Sequence, residues 1–169
     1  MIFVFVEGPD DERYFASVYK SNIVNCKYIQ YAGWSPTKIN SFLRSINCMP
    51  DSDYLFFGDA DGQSIEEKIT VLKERYSNID VNKVYVVQYE IESWYYAGIS
   101  MSNCQKLKLK HFVYDTNDLT KEQFNAKLPQ RIDRRIVMAD ILKIYEMALA
   151  VSRNASLQLF NSSIKKESA

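Results

Sequence analysis

Asp53-Tyr54-Leu55-Phe56-Phe57-Gly58-Asp59-Ala60-Asp61-Gly62 decides how the rest of the chain is read. An apolar run of this kind reads as a buried strand of a parallel sheet. It ends in two carboxylates with a glycine on each side. In open α/β sheets ligands bind at the carboxyl ends of strands. Two aspartates one residue apart at such an end can both turn toward one point, where their repulsion is costly unless a cation lies between them. Hard cations such as Mg²⁺ take one or two carboxylates plus water and phosphate oxygens.

Two further strands end the same way. Met1 to Val6 runs into Glu7-Gly8-Pro9-Asp10-Asp11-Glu12-Arg13, after which Tyr14, Phe15, Val18 and Tyr19 have helical spacing. Pro9 suits an early helical position, where its missing N–H has no partner to lose. Lys83 to Gln88 reads as a strand that leads to Glu90-Ile91-Glu92-Ser93-Trp94. A parallel sheet lines such tips along one edge, so Glu7, Asp59, Asp61, Glu90 and Glu92 are expected near one another. Asp11, one helical turn after Glu7, is within reach of the same cation.

The intervening segments fit parallel βαβ units. Lys27 to Tyr31 is a short strand, and Pro36 starts a helix with Ile39, Phe42, Leu43 and Ile46 inward. Ser64 is a plausible N-cap for a helix running to about Tyr76, with Glu66 and Glu67 in its first turn and Ile65, Ile69 and Leu72 inside. From Glu92 on the pattern is helical. Arg131 to Ser152 is expected as the longest helix, with Ile132, Ile136, Ala139, Ile141, Leu142, Tyr145, Ala148 and Leu149 inward. Lys106 to Asn117 reads equally as an edge strand or a loop. The expected fold is α/β, a mainly parallel sheet of about four strands flanked by helices (1–104), with a basic, mainly helical extension (105–169) packed on it as one compact domain.

Glu-Gly-x-x-Asp (Glu7, Gly8, Asp11), Asp-x-Asp (Asp59, Asp61) and Glu-x-Glu-Ser-Trp (Glu90 to Trp94), each after its own strand and in this order, resemble a TOPRIM domain. The chain is most similar to the TOPRIM nucleases of the OLD type and to small stand-alone TOPRIM-like proteins of bacterial defence. The likeness covers roughly residues 1 to 100, with a fainter one in Asn-Ala-Ser-Leu-Gln-Leu-Phe (154 to 160). It implies a Rossmann-like core and metal-dependent phosphodiester hydrolysis, with a role in phage defence or DNA repair. The implied catalytic set is Glu7, Asp59, Asp61 and Glu92; Asp11 and Glu90 join them as ligands of Mg²⁺ or Mn²⁺. OLD-type sites also resemble a metal cluster completed by a basic residue from later in the chain, for which Lys127, Arg131, Arg134 and Arg135 are the candidates, also as nucleic-acid contacts. DNA is expected ahead of RNA. No P-loop motif is present, so an ATPase, if used, would be a separate subunit. The alternative is a catalytically silent TOPRIM-like module that binds nucleic acid or a partner protein. A homo-oligomer is compatible with either.

Composition suits such a domain. The chain has 169 residues, 47% apolar and 25% charged, enough for a substantial core. Net charge is zero, but residues 1 to 104 carry 9 Lys and Arg against 14 Asp and Glu, while 105 to 169 carry 12 against 7. A metal-needing acidic part is thus followed by a basic part that could hold a phosphate backbone, or that is ordinary solvated helix surface. Met1 to Val6 is too short for a spanning helix and meets acidic residues at once, so no membrane segment is read there and a cytoplasmic protein is expected. Cys26, Cys48 and Cys104 have no zinc-ligand spacing and read as reduced structural thiols. Lys165 to Ala169 is expected to be loose.

Plain structural roles stand beside the functional ones. Glu7 could cap the helix that follows it. Asp59 and Asp61 could build a tight turn with Gly58 and Gly62. Trp94, Tyr95 and Tyr96 read as packing, and His111, the only histidine, as a surface residue or phosphate contact.

Overall fold

The structure, a computed structural model, describes residues 1 to 167, with side chains as far as Ile164. It divides into two compact units, Met1–Val87 and Gln88–Ala169. The expected boundary at 104 falls inside the second unit. The division instead follows the end of the last strand.

The first unit is a four-stranded parallel sheet in the order β2-β1-β3-β4. Its strands are β1 (Ile2–Val6), β2 (Cys26–Gln30), β3 (Asp53–Asp59) and β4 (Val84–Val87). Helices α1 (Pro9–Val18), α2 (Pro36–Asn47) and α3 (Ile65–Arg75) connect them, and a short 3₁₀ turn (Val81–Lys83) precedes β4. The sheet is as the sequence predicts, each strand within a residue or two of its expected bounds. From β1 the chain first steps outward to β2, then returns past β1 to β3. The reversal leaves a crevice between the carboxyl ends of β1 and β3, the usual place for a ligand in an open α/β sheet.

Alternation along the strands distributes the side chains. Phe3, Phe5, Ile29, Tyr54, Phe56, Val84 and Val86 pack with Ile39, Leu43 and Ile46 of α2 and with Leu72 of α3. On the opposite face Phe57 meets Phe15 of α1, ring centroids 4.1 Å apart. Capping sets the helix starts. Ser35 accepts the Lys38 N–H, and Ser64 and Glu67 form a reciprocal box at α3.

The second unit is helical in its described residues: α4 (Ile91–Ala97), α5 (Met101–Lys106), α6 (Lys121–Lys127), α7 (Arg134–Lys143), α8 (Met147–Arg153) and α9 (Ala155–Glu167). Residues 107 to 117 form turns and loop, with no strand. The long helix expected over Arg131 to Ser152 is broken. Its chain leaves α7 at Ile144 because Tyr145 lies on Gly98, where an added Cβ would come within 2.3 Å of the ring, while the Tyr145 hydroxyl donates to Trp94 O. The inward face differs in part: Ile141 is buried as expected, but Ile132 and Ile136 are exposed while Val137 and Met138 are buried. The longest helix is α9. It includes Lys165 to Glu167, while the rest of the expected loose tail, Ser168 and Ala169, lies outside the described residues.

Two motifs read separately in the sequence meet inside this unit. Trp94 Nε1 donates to Ser156 Oγ at 2.9 Å, and Asn154 Nδ2 reaches Ser93 Oγ at 3.5 Å. The Glu-Ser-Trp stretch is therefore anchored by Asn154-Ala155-Ser156 at the start of α9. Arg153 is buried beside them, its guanidinium donating to the carbonyls of Ala97, Ile99, Tyr114 and Val113. No described helix is long and apolar enough to cross a membrane.

Candidate active site

Glu7 follows β1 on the face of Phe3 and Phe5, toward α2 and α3. Asp59 ends β3 on the other parity. The two are joined through main chain, because Glu7 Oε1 accepts the Asp59 N–H at 3.1 Å. Tyr31, just past β2, completes the connection. Its hydroxyl donates to Phe57 O at 2.8 Å and lies 3.3 Å from Glu7 Oε1, so one proton serves two acceptors. The carboxylate tip of β1 is thus tied to β3 and to the end of β2.

The electrostatics at Tyr31 report what surrounds it. Burial, then the charges of Glu7, Asp59 and Asp11 with a contribution from Tyr76, hold its phenol well above its ordinary value. Carboxylates from the tips of β1 and β3 and from α1 therefore act on one buried hydroxyl. Asp59 and Asp11 are themselves only 9% and 6% exposed. Keeping acids this far from water is costly unless they are bonded or bind a ligand.

Each expected acid has a distinct local task. Asp11 Oδ2 accepts the Gly8 N–H at 3.1 Å, so Asp11, and not Glu7, holds the start of α1. Asp10 pairs with Arg13 at 2.6 Å, and Glu12 accepts from Gln30. Asp61 sits with Gly62 at the centre of a turn closed by Gln63 N–H to Ala60 O, both central residues at positive φ (53° and 85°), the pattern of a type I′ turn. Its side chain is 61% exposed and lies 3.2 Å from Lys68 Nζ. Asp59 and Asp61 thus differ sharply in exposure. Among the described residues no three His, Cys, Asp or Glu side chains form a ready group of metal ligands.

A cleft of about 230 Å³ opens on the α2 and α3 side of these loops, lined among others by Glu7, Tyr31, Trp34, Asp61, Lys68 and Arg75. Tyr31, Lys68 and Arg75 were not among the residues singled out from the sequence. Their traces were there: a tyrosine closing a parallel strand, and two cations seven apart on the helix after Asp-x-Asp.

Glu90 and Glu92 belong to the second unit, as do the four basic candidates. Strand parity does not govern the two glutamates, since β4 ends at Val87; Glu90 is the N-cap of α4 and Glu92 lies in its first turn. Glu90 Oε2 accepts the Lys121 N–H at 2.8 Å, which anchors the start of α6. Glu92 is 3% exposed and ion-paired with Arg134, whose Nε also donates to Asn125 Oδ1 at 2.9 Å. Burial holds the Glu92 carboxyl above its usual value, against the pull of its own backbone hydrogen bond, Arg134 and Lys121. Arg135 pairs with Asp133, Lys127 donates to His111 O, and Arg131 is exposed with φ of 67°.

The chain matches no family model, no curated protein and no solved structure with which it was compared.

Proposed function

We propose that the chain is a TOPRIM-like, metal-dependent nuclease that hydrolyses phosphodiester bonds. The observation that carries this reading is that Glu7 Oε1 accepts the Asp59 N–H and lies 3.3 Å from the Tyr31 hydroxyl, which ties together the acidic tips of β1 and β3 at the crevice between them. The order of the three acidic motifs along the sequence supports it.

The donor set suits Mg²⁺ or Mn²⁺. These ions ask for one or two carboxylates and keep water or phosphate for the rest, so a closed cage is not required. Glu7 and Asp59 would hold the ion with Asp61 or Asp11, and it would supply an activated water and charge neutralisation at the leaving oxygen. The protein's part is positioning. Tyr31 and the Asp59 N–H fix Glu7, and Asp61, in its positive-φ turn, meets Lys68 of α3 beside the cleft that both line. Glu90 and Glu92, the further ligands that the resemblance implies, each have a local partner in the second unit. The resemblance to OLD-type proteins supports an ATPase partner, which would be a separate subunit because the chain has no P-loop motif.

A silent TOPRIM-like binding module is the second reading, favoured by the Asp61 turn and its Lys68 pair. Incubation of the purified chain with labelled DNA and RNA, with Mg²⁺ or with chelator, separates the two. The nuclease reading expects slow, metal-dependent cleavage that Asp59→Asn abolishes, and the silent module expects none.

A further inference from the structure

We propose that the cleft beside Glu7 binds the terminal phosphomonoester of a nucleic-acid strand through Arg75 and Lys68, and that a divalent cation enters with that phosphate and not ahead of it. The inference deepens the nuclease reading and rests on it for the nucleic acid. The contacts come from α3. Lys68 and Arg75 are seven residues apart, so they lie on one helix face about 10 Å apart along the axis. Both line the cleft with Glu7 and Asp61.

Arg75 is poised for an anion. Its guanidinium carbon lies 5.5 Å from the centroid of the Tyr76 ring, and no carboxylate pairs with it among the described residues. A planar guanidinium held against a ring presents a fork that fits phosphate oxygens. Glu7, Arg75 and Tyr76 all line the cleft. Lys68 is only 15% exposed in its side chain and already shares its charge with Asp61.

Charge balance determines what can enter. Glu7 and Asp61 offset Lys68 and Arg75, so the four lining charges sum to zero. A phosphomonoester dianion alone would meet the Glu7 carboxylate, and a divalent cation alone would meet the two basic groups. Together they add no net charge, and each lowers the electrostatic cost of the other. Mg²⁺ commonly completes its shell with substrate phosphate. Reciprocity requires that Mg²⁺ tighten phosphate binding by the factor by which phosphate tightens Mg²⁺ binding.

Trp34 lines the same cleft, with Lys38 Nζ 3.7 Å above its ring, and supplies a fluorescence reporter. The test is titration of the full chain with pdTdT, dTdTp and dTdT, with and without Mg²⁺. Binding of pdTdT or dTdTp should be at least about fivefold tighter with Mg²⁺ than without, and tighter than that of dTdT; the arm that binds better identifies which strand end is held. Arg75→Gln should weaken the preferred ligand about tenfold, the loss of one charge-assisted contact, and Lys68→Gln should reduce the Mg²⁺ effect. Equal binding of dTdT, or an Arg75→Gln and Lys68→Gln pair that binds as the parent does, overturns the proposal. If metal-dependent cleavage persists in that case, the nuclease reading stands without this subsite. A phosphomonoester preference lost in Arg75→Gln, found without any cleavage, keeps the subsite and removes the nuclease reading.

Discussion

Glu7 Oε1 accepts the backbone N–H of Asp59 at 3.1 Å, across 52 residues of sequence. Two strand tips that the chain visits far apart are therefore fixed to each other before any ligand arrives. The Tyr31 hydroxyl braces the same carboxylate. Tyr31→Phe removes that brace and leaves the Phe57 carbonyl without its 2.8 Å donor. The expected cost is about 0.5–1.5 kcal/mol for the lost hydrogen bond, measured by urea unfolding, with a larger proportional loss in any metal-dependent activity than in stability.

Gly98 is required by the Tyr145 ring. A Cβ there would come within 2.3 Å of it, and the ring is tethered through its hydroxyl to Trp94 O. Gly98→Ala should destabilise the chain by about 1–3 kcal/mol, as overpacking does. Added to Tyr145→Ala, the same change should cost far less, and a double-mutant cycle on melting data reads that coupling.

Ser156 accepts from the buried Trp94 Nε1 and from Gln88 N–H. Ser156→Ala should cost about 1–3 kcal/mol by stranding those donors, with a shift in tryptophan emission. An unchanged melting point would show that the Glu-Ser-Trp stretch does not depend on the start of α9.

Glu92 and Asp133 give opposite pH dependences. Burial holds the folded Glu92 carboxyl above its unfolded value, so between those values the folded chain binds the proton more readily, and acidification through that interval adds stability. Asp133, held at about 2 by hydrogen bonds from Arg135, contributes stability above the unfolded Asp value that is lost as pH falls toward about 2. Melting temperature against pH should show both slopes in the parent and only the second in Glu92→Gln.

The salt dependence of nucleic-acid binding is expected to lie with Lys106, Lys108 and Lys110, which are exposed, and not with Arg134, which is paired with Glu92. Neutralising the three lysines should flatten the salt slope by up to about 2.7 units if each meets a phosphate. Arg134→Gln should instead lower the melting temperature.

The sheet was legible because its strands are apolar runs bounded by turn residues, and α2 and α3 because Pro36 and Ser64 mark their starts. The break at Ile144 was not, since periodicity carries through it and its cause, Tyr145 against Gly98, is a contact between residues 47 apart in sequence. The acids were legible as residues at strand ends but not in their tasks. Asp11 as the stay of α1, Asp61 in a positive-φ turn and Glu90 at the start of α6 each depend on a hydrogen bond or backbone angle that spacing does not encode. Arg134 looked like a phosphate contact for the same reason: its acid partner is 42 residues away.

The most direct measurement is the melting of the parent and of Asp59→Asn without ligand, with Mn²⁺, with pdTdT and with both. Removing a charge from the cluster around Tyr31 should leave the ligand-free variant melting at the parent's temperature or above it. The parent should be stabilised most by Mn²⁺ and pdTdT together, approaching ~2.7 kcal/mol at a hundredfold excess over Kd, and Asp59→Asn should lose that increment. Melting curves of Asp59→Asn that overlay the parent's under all four conditions would contradict the assignment of Asp59 to a metal and phosphate site.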